Sequence, residues 1–347
     1  MTALDDSGGP AHPLLLVRGL KKHFPARRHL FAPREMVQAV DGVSFSLMRG
    51  TTLGVVGESG CGKSTTARLL LHLIKPDAGD IVFDGERVGD LQGLSVRELR
   101  LQMQMVFQDS YASLNPRATV GDIIAFGPRT AKGLAPRAAR ERAESLLDQV
   151  GLRPALFARR YPHELSGGQR QRVNIARALA SEPRLLILDE AVSALDKSVE
   201  AQILNLLADL RRDLALTYLF ISHDLNVVRH VSDRVVVMYL GHIVEAGEVA
   251  AIYHRPHHPY TRALMQAMPS IDPDRRTEAS PLSGDPPNPI NPPSGCRFRT
   301  RCAFAEAVCA RLAPTLDAIG DDHEVACHMM VPGSGHSLAD KMAVADD

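Results

Sequence analysis

Apolar residues in the first half of the chain come in short runs broken by glycine and charge. Residues 14–20 read as a first strand, and 37–47 as a second with a partly alternating pattern. Between them, residues 25–35 (PARRHLFAPRE) form a basic insertion interrupted by proline. A short apolar strand at 52–56 runs straight into a glycine-rich turn and then a helix over 63–73. Residues 80–88 carry two apolar arms around Asp84-Gly85, a hairpin signal. A Gln/Met/Phe strand follows at 103–108. From 120 to 162 the texture changes to Ala, Arg, Glu and Leu at helical spacing, which predicts a helical subdomain inserted into an α/β body. Continuous apolar runs return at 185–188 and 217–221, the pattern of strands buried on both faces, with a helix over 197–210 between them. Residues 235–237 and 243–245, around Leu240-Gly241, predict an edge hairpin. Strand and helix in alternation imply an α/β sheet with right-handed crossovers.

Composition narrows the class. Lys plus Arg equals Asp plus Glu, 40 against 40, so no excess charge points to nucleic acid. No apolar run approaches the roughly 20 residues that cross a bilayer. The first residues, MTALDDSGGPAH, are acidic and lack a basic flank or apolar core. No secretory signal is expected, and any membrane role should be peripheral, from the cytoplasm. Residues 1–13 predict a disordered start, 269–293 a proline-dense linker or wrap, and 331–347 a disordered tail.

Three motifs carry chemistry. Gly57-Glu58-Ser59-Gly60-Cys61-Gly62-Lys63-Ser64 matches the pattern Gly-x4-Gly-Lys-Ser/Thr, between a strand and a helix. Glycines let backbone N–H groups curl around phosphates, and the following helix offers its positive end. Lys63 supplies a point charge, and the Ser64 hydroxyl can join a Mg2+ shell. Leu185-Leu186-Ile187-Leu188-Asp189-Glu190 ends a buried strand in two carboxylates, where open α/β sheets place ligands. Asp189 suits Mg2+, and Glu190 suits a base that polarises attacking water. Ser166 caps a helix start with Gly167 and Gly168 behind it, which by physics alone is an anion-binding helix start.

The pentapeptide Leu165-Ser166-Gly167-Gly168-Gln169, lying between the phosphate loop and the acidic strand end, resembles the signature of ABC ATPases. The resemblance implies the fold: a P-loop NTPase core of ABC type with an inserted helical subdomain (about 110–180), an antiparallel edge sheet and a small Cys-rich C-terminal module. It implies an ATPase domain over 14–255 that binds ATP and Mg2+, with ATP contacted by residues 57–64, Thr65 and Phe24. Phe24 resembles the aromatic that stacks on adenine, with a core phenylalanine as the rival reading. Gln108 resembles the glutamine that senses Mg2+ and attacking water, and His223 the switch histidine at the γ-phosphate. Ser193 and Asp196 fall in what looks like the loop crossing a dimer interface. Family members pair head to tail, so Ser166, Gly167, Gly168 and Gln169 should act on the partner's ATP. Ser110 and Ala191 stand where prolines are common in the family, and Lys197 where an apolar residue is, but no catalytic group is lost.

Residues 256–330, with His257-His258-Pro259-Tyr260-Thr261, resemble the C-terminal extension of oligopeptide/dipeptide importer ATPases. Tyr111-Ala112-Ser113-Leu114-Asn115-Pro116 and the basic insertion look like the "F" member of a D/F pair. The implied partners are a D-type ATPase in a heterodimer, two transmembrane permease subunits and, indirectly, an extracytoplasmic solute-binding protein. Peptide import from the cytoplasmic face of the membrane is the implied role; similar ATPases serve nickel and glutathione. Cys296, Cys302, Cys309 and Cys327, spaced x5, x6 and x17, match neither the close pair of a zinc knuckle nor a ferredoxin run. They suggest a staple for a segment with little core-forming capacity. Some relatives are implied to hold an iron–sulfur cluster there, so a [4Fe–4S] cluster is expected, with Zn2+ or free thiols as alternatives.

Overall fold

Twelve strands and eleven α-helices are formed by the residues that the computed structural model describes, 12–26, 35–90, 92–268, 284–320 and 322–339. The expected disordered start up to residue 11, most of the basic insertion, 269–283 of the proline-dense stretch and the end of the tail lie outside them.

β1 (Leu15–Pro25) and β2 (Met36–Leu47) pair antiparallel from Leu15 against Leu47 to Pro25 against Met36. β1 outruns its apolar stretch because pairing with β2 carries the polar residues after Leu20. β3 (Thr52–Val56) is buried throughout and leads into α1 (Lys63–Leu70). β4 (Ala78–Phe83) and β5 (Glu86–Arg87) turn at Asp84 and Gly85, whose φ of 52° and 82° suit an Asp-Gly hairpin. β4 also pairs with β1, giving a four-stranded sheet in the order β2-β1-β4-β5. Apolar spacing does not predict α2 (Val96–Gln102), which starts from a capping box between Ser95 and Glu98. β6 (Met103–Val106) follows directly. The helical subdomain consists of α3 (Val120–Ala131), α4 (Pro136–Gln149), α5 (Pro154–Phe157) and α6 (Gly167–Leu179).

β7 (Leu185–Asp189), α7 (Lys197–Leu214), β8 (Thr217–Ile221), α8 (Leu225–Val231), β9 (Arg234–Tyr239) and β10 (His242–Glu248) return the chain to the main sheet. Strands β9, β3, β8, β7 and β6 run parallel in that order. Alternate residues of the central strands face two apolar clusters. Leu185, Ile187, Leu219 and Ile221 look toward α1 and the antiparallel sheet, whereas Leu186, Leu188, Tyr218 and Phe220 look toward the helical subdomain.

After α9 (Val249–His254), α10 (Pro259–Gln266) and α11 (Ala307–Arg311), β11 (Asp317–Gly320) and β12 (His323–Val325) add to β10 in the order β11-β12-β10. The β9–β10 hairpin, expected at an edge, is therefore interior to an eight-stranded sheet. The C-terminal extension is also less separate than its composition suggests. Phe298 is buried with its ring 5.3 Å from Tyr239 and 5.4 Å from Tyr260, which are 4.7 Å apart themselves. Aromatic contact with the ATPase core supplies the burial that the extension lacks alone. Residues 331–339, read from sequence as part of a disordered tail, pack back: the Ser334 hydroxyl donates to the His328 carbonyl at 2.6 Å, His336 Nε2 lies 2.9 Å from the Phe304 carbonyl, and Ala339 is buried.

Candidate functional site

The glycine-rich loop joins the C-terminal end of β3 to α1. Gly57 has φ +150°, and a Cβ there would sit 2.2 Å from the Met238 carbonyl oxygen. At Gly62, φ +110°, a Cβ would lie 2.3 Å from the Ala39 carbonyl oxygen. Both positions therefore exclude a side chain, by backbone shape and by close approach to β9 and β2. The buried Lys63 ammonium donates to the carbonyls of Gly57 at 2.6 Å and Glu58 at 3.0 Å, and meets Cys61 Sγ at 3.6 Å. The loop is wrapped around a cation of its own, so the positive charge sits where a phosphate would meet it. Burial raises the pKa of the Cys61 thiol, which packs as a small neutral side chain.

The acidic strand end lies two strands away. The Ser64 hydroxyl donates to Asp189 Oδ1 at 2.9 Å, which ties the start of α1 to the end of β7. Burial raises the Asp189 pKa, the Ser64 hydrogen bond opposes this, and the adjacent Glu190 carboxylate adds to the rise. Glu190 has a left-handed backbone, φ +48°, held by its N–H donating to the Ile221 carbonyl at 2.9 Å. Its own carbonyl accepts the Ser193 hydroxyl at 3.0 Å. One carboxylate oxygen accepts Gln108 Nε2 at 2.7 Å, and the other lies 3.5 Å from His223 Nδ1. Lys63, Ser64, Gln108, Asp189, Glu190 and His223 are thus gathered at the C-terminal ends of β3, β6, β7 and β8, although they span 161 positions of chain (63 to 223).

The remaining sequence candidates fall in separate places. Ser166 and Gln169 form a reciprocal cap, with Gln169 Oε1 accepting the Ser166 N–H at 3.0 Å. A Cβ on Gly168 would meet Val199 Cγ1 at 2.5 Å, and one on Gly167 would lie 3.7 Å from Leu195. The signature turn is therefore packed on the segment that carries Ser193 and Asp196, outside the hydrogen-bonded group around Glu190. Asp196 caps α7 by accepting the Val199 N–H at 3.0 Å. Lys197 takes a polar role, pairing with Glu200 and Asp224 at 2.9 Å each, and Ala191 is buried. Phe24 is half-buried on β1 opposite Val37, outside both apolar clusters, with the Lys22 ammonium 5.6 Å from its ring centre.

Cys296, Cys302, Cys309 and Cys327 line one pocket. Burial pushes the thiol pKa of Cys296 up to about 11 and of Cys327 up to about 12, and raises that of Cys302. Among the described residues, no group of three or more His, Cys, Asp or Glu is arranged to hold a metal ion, the four cysteines included.

Sequence reasoning missed the second tier of the loop. The Glu58 N–H donates to the Tyr260 hydroxyl at 2.8 Å, and both Glu58 carboxylate oxygens accept from Arg301, at 2.7 and 3.1 Å. Local pattern held no signal for contacts across more than 200 positions of chain.

A glycine loop after a central parallel strand, with its lysine folded inward and an acidic pair two strands away, defines a P-loop nucleotide hydrolase. The ABC transporter family matches residues 40–193, and the oligopeptide/dipeptide transporter C-terminal region matches residues 244–309. The oligopeptide transport ATP-binding protein AppF of Bacillus subtilis is 50% identical, covering 91% of this chain and 97% of its own. OppF of Salmonella typhimurium, with the same description, is 50% identical over 92% and 97%. Among solved structures, cbiO1 of Clostridium perfringens, part of the ABC transporter complex cbiONQ, has a TM-score of 0.59 at 29% identity and covers 70% of this chain and 91% of its own. A dimeric ATP-binding cassette in a post-hydrolysis state with ADP and Pi has the same TM-score at 26% identity, over 68% and 98%. The chain belongs to the ATP-binding proteins of ABC transporters and carries the oligopeptide/dipeptide-type C-terminal region. It is an ATPase.

Proposed function

We propose that the chain hydrolyses MgATP to energise a membrane importer of oligopeptides, working peripherally at the cytoplasmic face. The observation that carries this reading is the pairing of a complete hydrolytic group with 50% identity, over more than nine-tenths of the chain, to proteins described as oligopeptide transport ATP-binding proteins. In this reading residues 57–65 cradle the phosphates, Lys63 turns its charge from the loop carbonyls to the β- and γ-phosphates, and Phe24 stacks on adenine. Ser64 and Asp189 would hold Mg2+, which when bound neutralises charge on the phosphates. Glu190 accepts the proton of the attacking water, Gln108 orients the Glu190 carboxylate, and His223 faces the γ-phosphate from β8. No covalent intermediate is involved.

Ser166, Gly167, Gly168 and Gln169 act on the ATP of a second, D-type subunit paired head to tail, and the Ser193–Asp196 loop crosses that interface. Permease docking is supported by an open groove beside the Gln108 loop, between α2, β6 and α3, where Leu73, Phe107 and the largely exposed Phe126 gather. Among the described residues, no helix is long and apolar enough to cross a membrane. Cys296, Cys302, Cys309 and Cys327, which line one pocket, would hold a [4Fe–4S] cluster or, alternatively, Zn2+, and the bound group would contribute structure.

The reading is tested by growth of a strain lacking this chain on a peptide as sole source of a required amino acid. The wild-type chain should restore growth and Glu190→Gln should not. Restored uptake of nickel or glutathione, with none of peptide, would overturn the choice of solute.

A further inference from the structure

The segment Cys296-Arg297-Phe298-Arg299-Thr300-Arg301-Cys302 reaches the phosphate loop through Arg301. Phe298 anchors it in the Tyr239–Tyr260 ring cluster. Arg301, whose side chain is only 5% exposed, makes a two-pronged pair with Glu58 inside the phosphate loop, and Tyr260 receives the Glu58 N–H. Arg297, 9% exposed, donates to Asp41 at 2.6 Å, to Gln38 and to the Leu240 carbonyl. The next residue, Gly241, donates its N–H to the Cys61 carbonyl of the phosphate loop at 2.9 Å. Two arginines with largely covered side chains thus brace the loop at both of its arms, and the segment that carries them is closed at each end by a cysteine of the shared pocket.

We propose that Arg301 is a positioning residue for ATP binding, and that through it nucleotide affinity reports whether the cysteine pocket is intact. The argument rests on the reading of residues 57–64 as the phosphate loop. A carboxylate in that loop repels an incoming polyphosphate unless a cation is held on it, and a planar guanidinium meets both oxygens at once. Arg301 cancels this charge and fixes the loop shape, whereas Glu58 fixes Arg301 and with it the 296–302 segment.

The test is MgATP titration of the full-length chain in a Glu190→Gln background. Arg301→Ala should weaken binding about tenfold, a cost near 1.4 kcal/mol. With Glu58→Gln also present, the same change should cost no more than about twofold, because the carboxylate to be neutralised is gone. Cys302→Ser should weaken MgATP binding when Arg301 is present and have no further effect in Arg301→Ala. Should Arg301→Ala fail to fold, Arg301→Lys takes its place, keeping the charge and losing the fork, with about threefold weaker binding expected. Parental affinity in the Arg301 variant, or an undiminished loss with Glu58→Gln, overturns the proposal. Lys63→Ala separates the two readings. If it binds MgATP normally, the phosphate-loop reading has failed; if it is defective while Arg301→Ala is normal, only the present proposal has.

Discussion

The carboxamide of Gln108 donates to the Glu190 carboxylate at 2.7 Å, joining the end of β6 to the end of β7 across 82 positions. The bond fixes a side chain whose backbone is already constrained at φ +48°, a conformation that costs a non-glycine residue roughly 1–2 kcal/mol. Glu190→Gln should lower turnover about 10²- to 10⁴-fold and leave MgATP binding intact, because the phosphate loop does not depend on that charge. Gln108→Ala should cost less, on the order of tenfold, since the carboxylate remains but is no longer aimed. Steady-state phosphate release beside equilibrium nucleotide binding checks both. Turnover by Glu190→Gln at the wild-type rate would remove Glu190 as the base.

Ser166 caps α6 and is exposed, while Gly167 and Gly168 behind it pack on Leu195 and Val199, outside their own chain's Glu190 group. Ser166→Arg should therefore leave MgATP binding by the isolated chain unchanged and block ATP-driven pairing of two ATPase subunits. Size-exclusion chromatography with and without MgATP, in the Glu190→Gln background, reads the second effect. Lost nucleotide binding by the isolated chain would place the signature's action within one subunit.

Glu245 ties the C-terminal extension to the sheet. Its buried carboxylate accepts the N–H groups of His257 at 2.7 Å and His258 at 3.0 Å, and meets His323 Nε2 at 2.8 Å. Burial alone would raise its pKa, but the His323 and backbone hydrogen bonds outweigh it and the net shift is downward. A carboxyl depressed in the fold stabilises above its unfolded pKa of about 4.3, and that contribution is lost as pH falls through the lower, folded value. Urea midpoints should therefore fall on acidification below about pH 4.3, and less steeply in Glu245→Gln. At neutral pH the variant should lose about 1–3 kcal/mol, because an amide offers one acceptor oxygen where the carboxylate offered two to His257, His258 and His323. An unchanged midpoint would contradict this.

The four cysteines make a chemical prediction. Anaerobic purification should give a brown protein with iron and sulfide in stoichiometric amounts, and Cys309→Ser should abolish the colour. A colourless sample with one zinc would favour the rival metal. A metal-free, fully folded extension would end both readings.

The sequence was most legible where chemistry is local. The glycines around Lys63, the acidic pair after Leu188 and the cap at Ser166 each announce themselves within eight residues. The interior of the sheet was legible as well, because strands buried on both faces read as unbroken apolar runs. Long-range pairing was not. Nothing near Glu58 points to Arg301, and nothing near residues 242–248 shows that β12 will cover them. The helix over 96–102 carries no apolar spacing to announce it, although Ser95 and Glu98 spell its cap. The 331–339 stretch reads as part of a disordered tail, and contacts with partners such as Phe304 and His328 hold it against the extension.

The addition of β12 to β10 has a consequence for solubility. Glu245 and Ala246 would otherwise present open backbone donors and acceptors along an apolar strand, a template for another chain. In this protein the C-terminal extension is the guard on that edge, so an ATPase domain cut at residue 255 should self-associate through β10 rather than remain a smaller working enzyme.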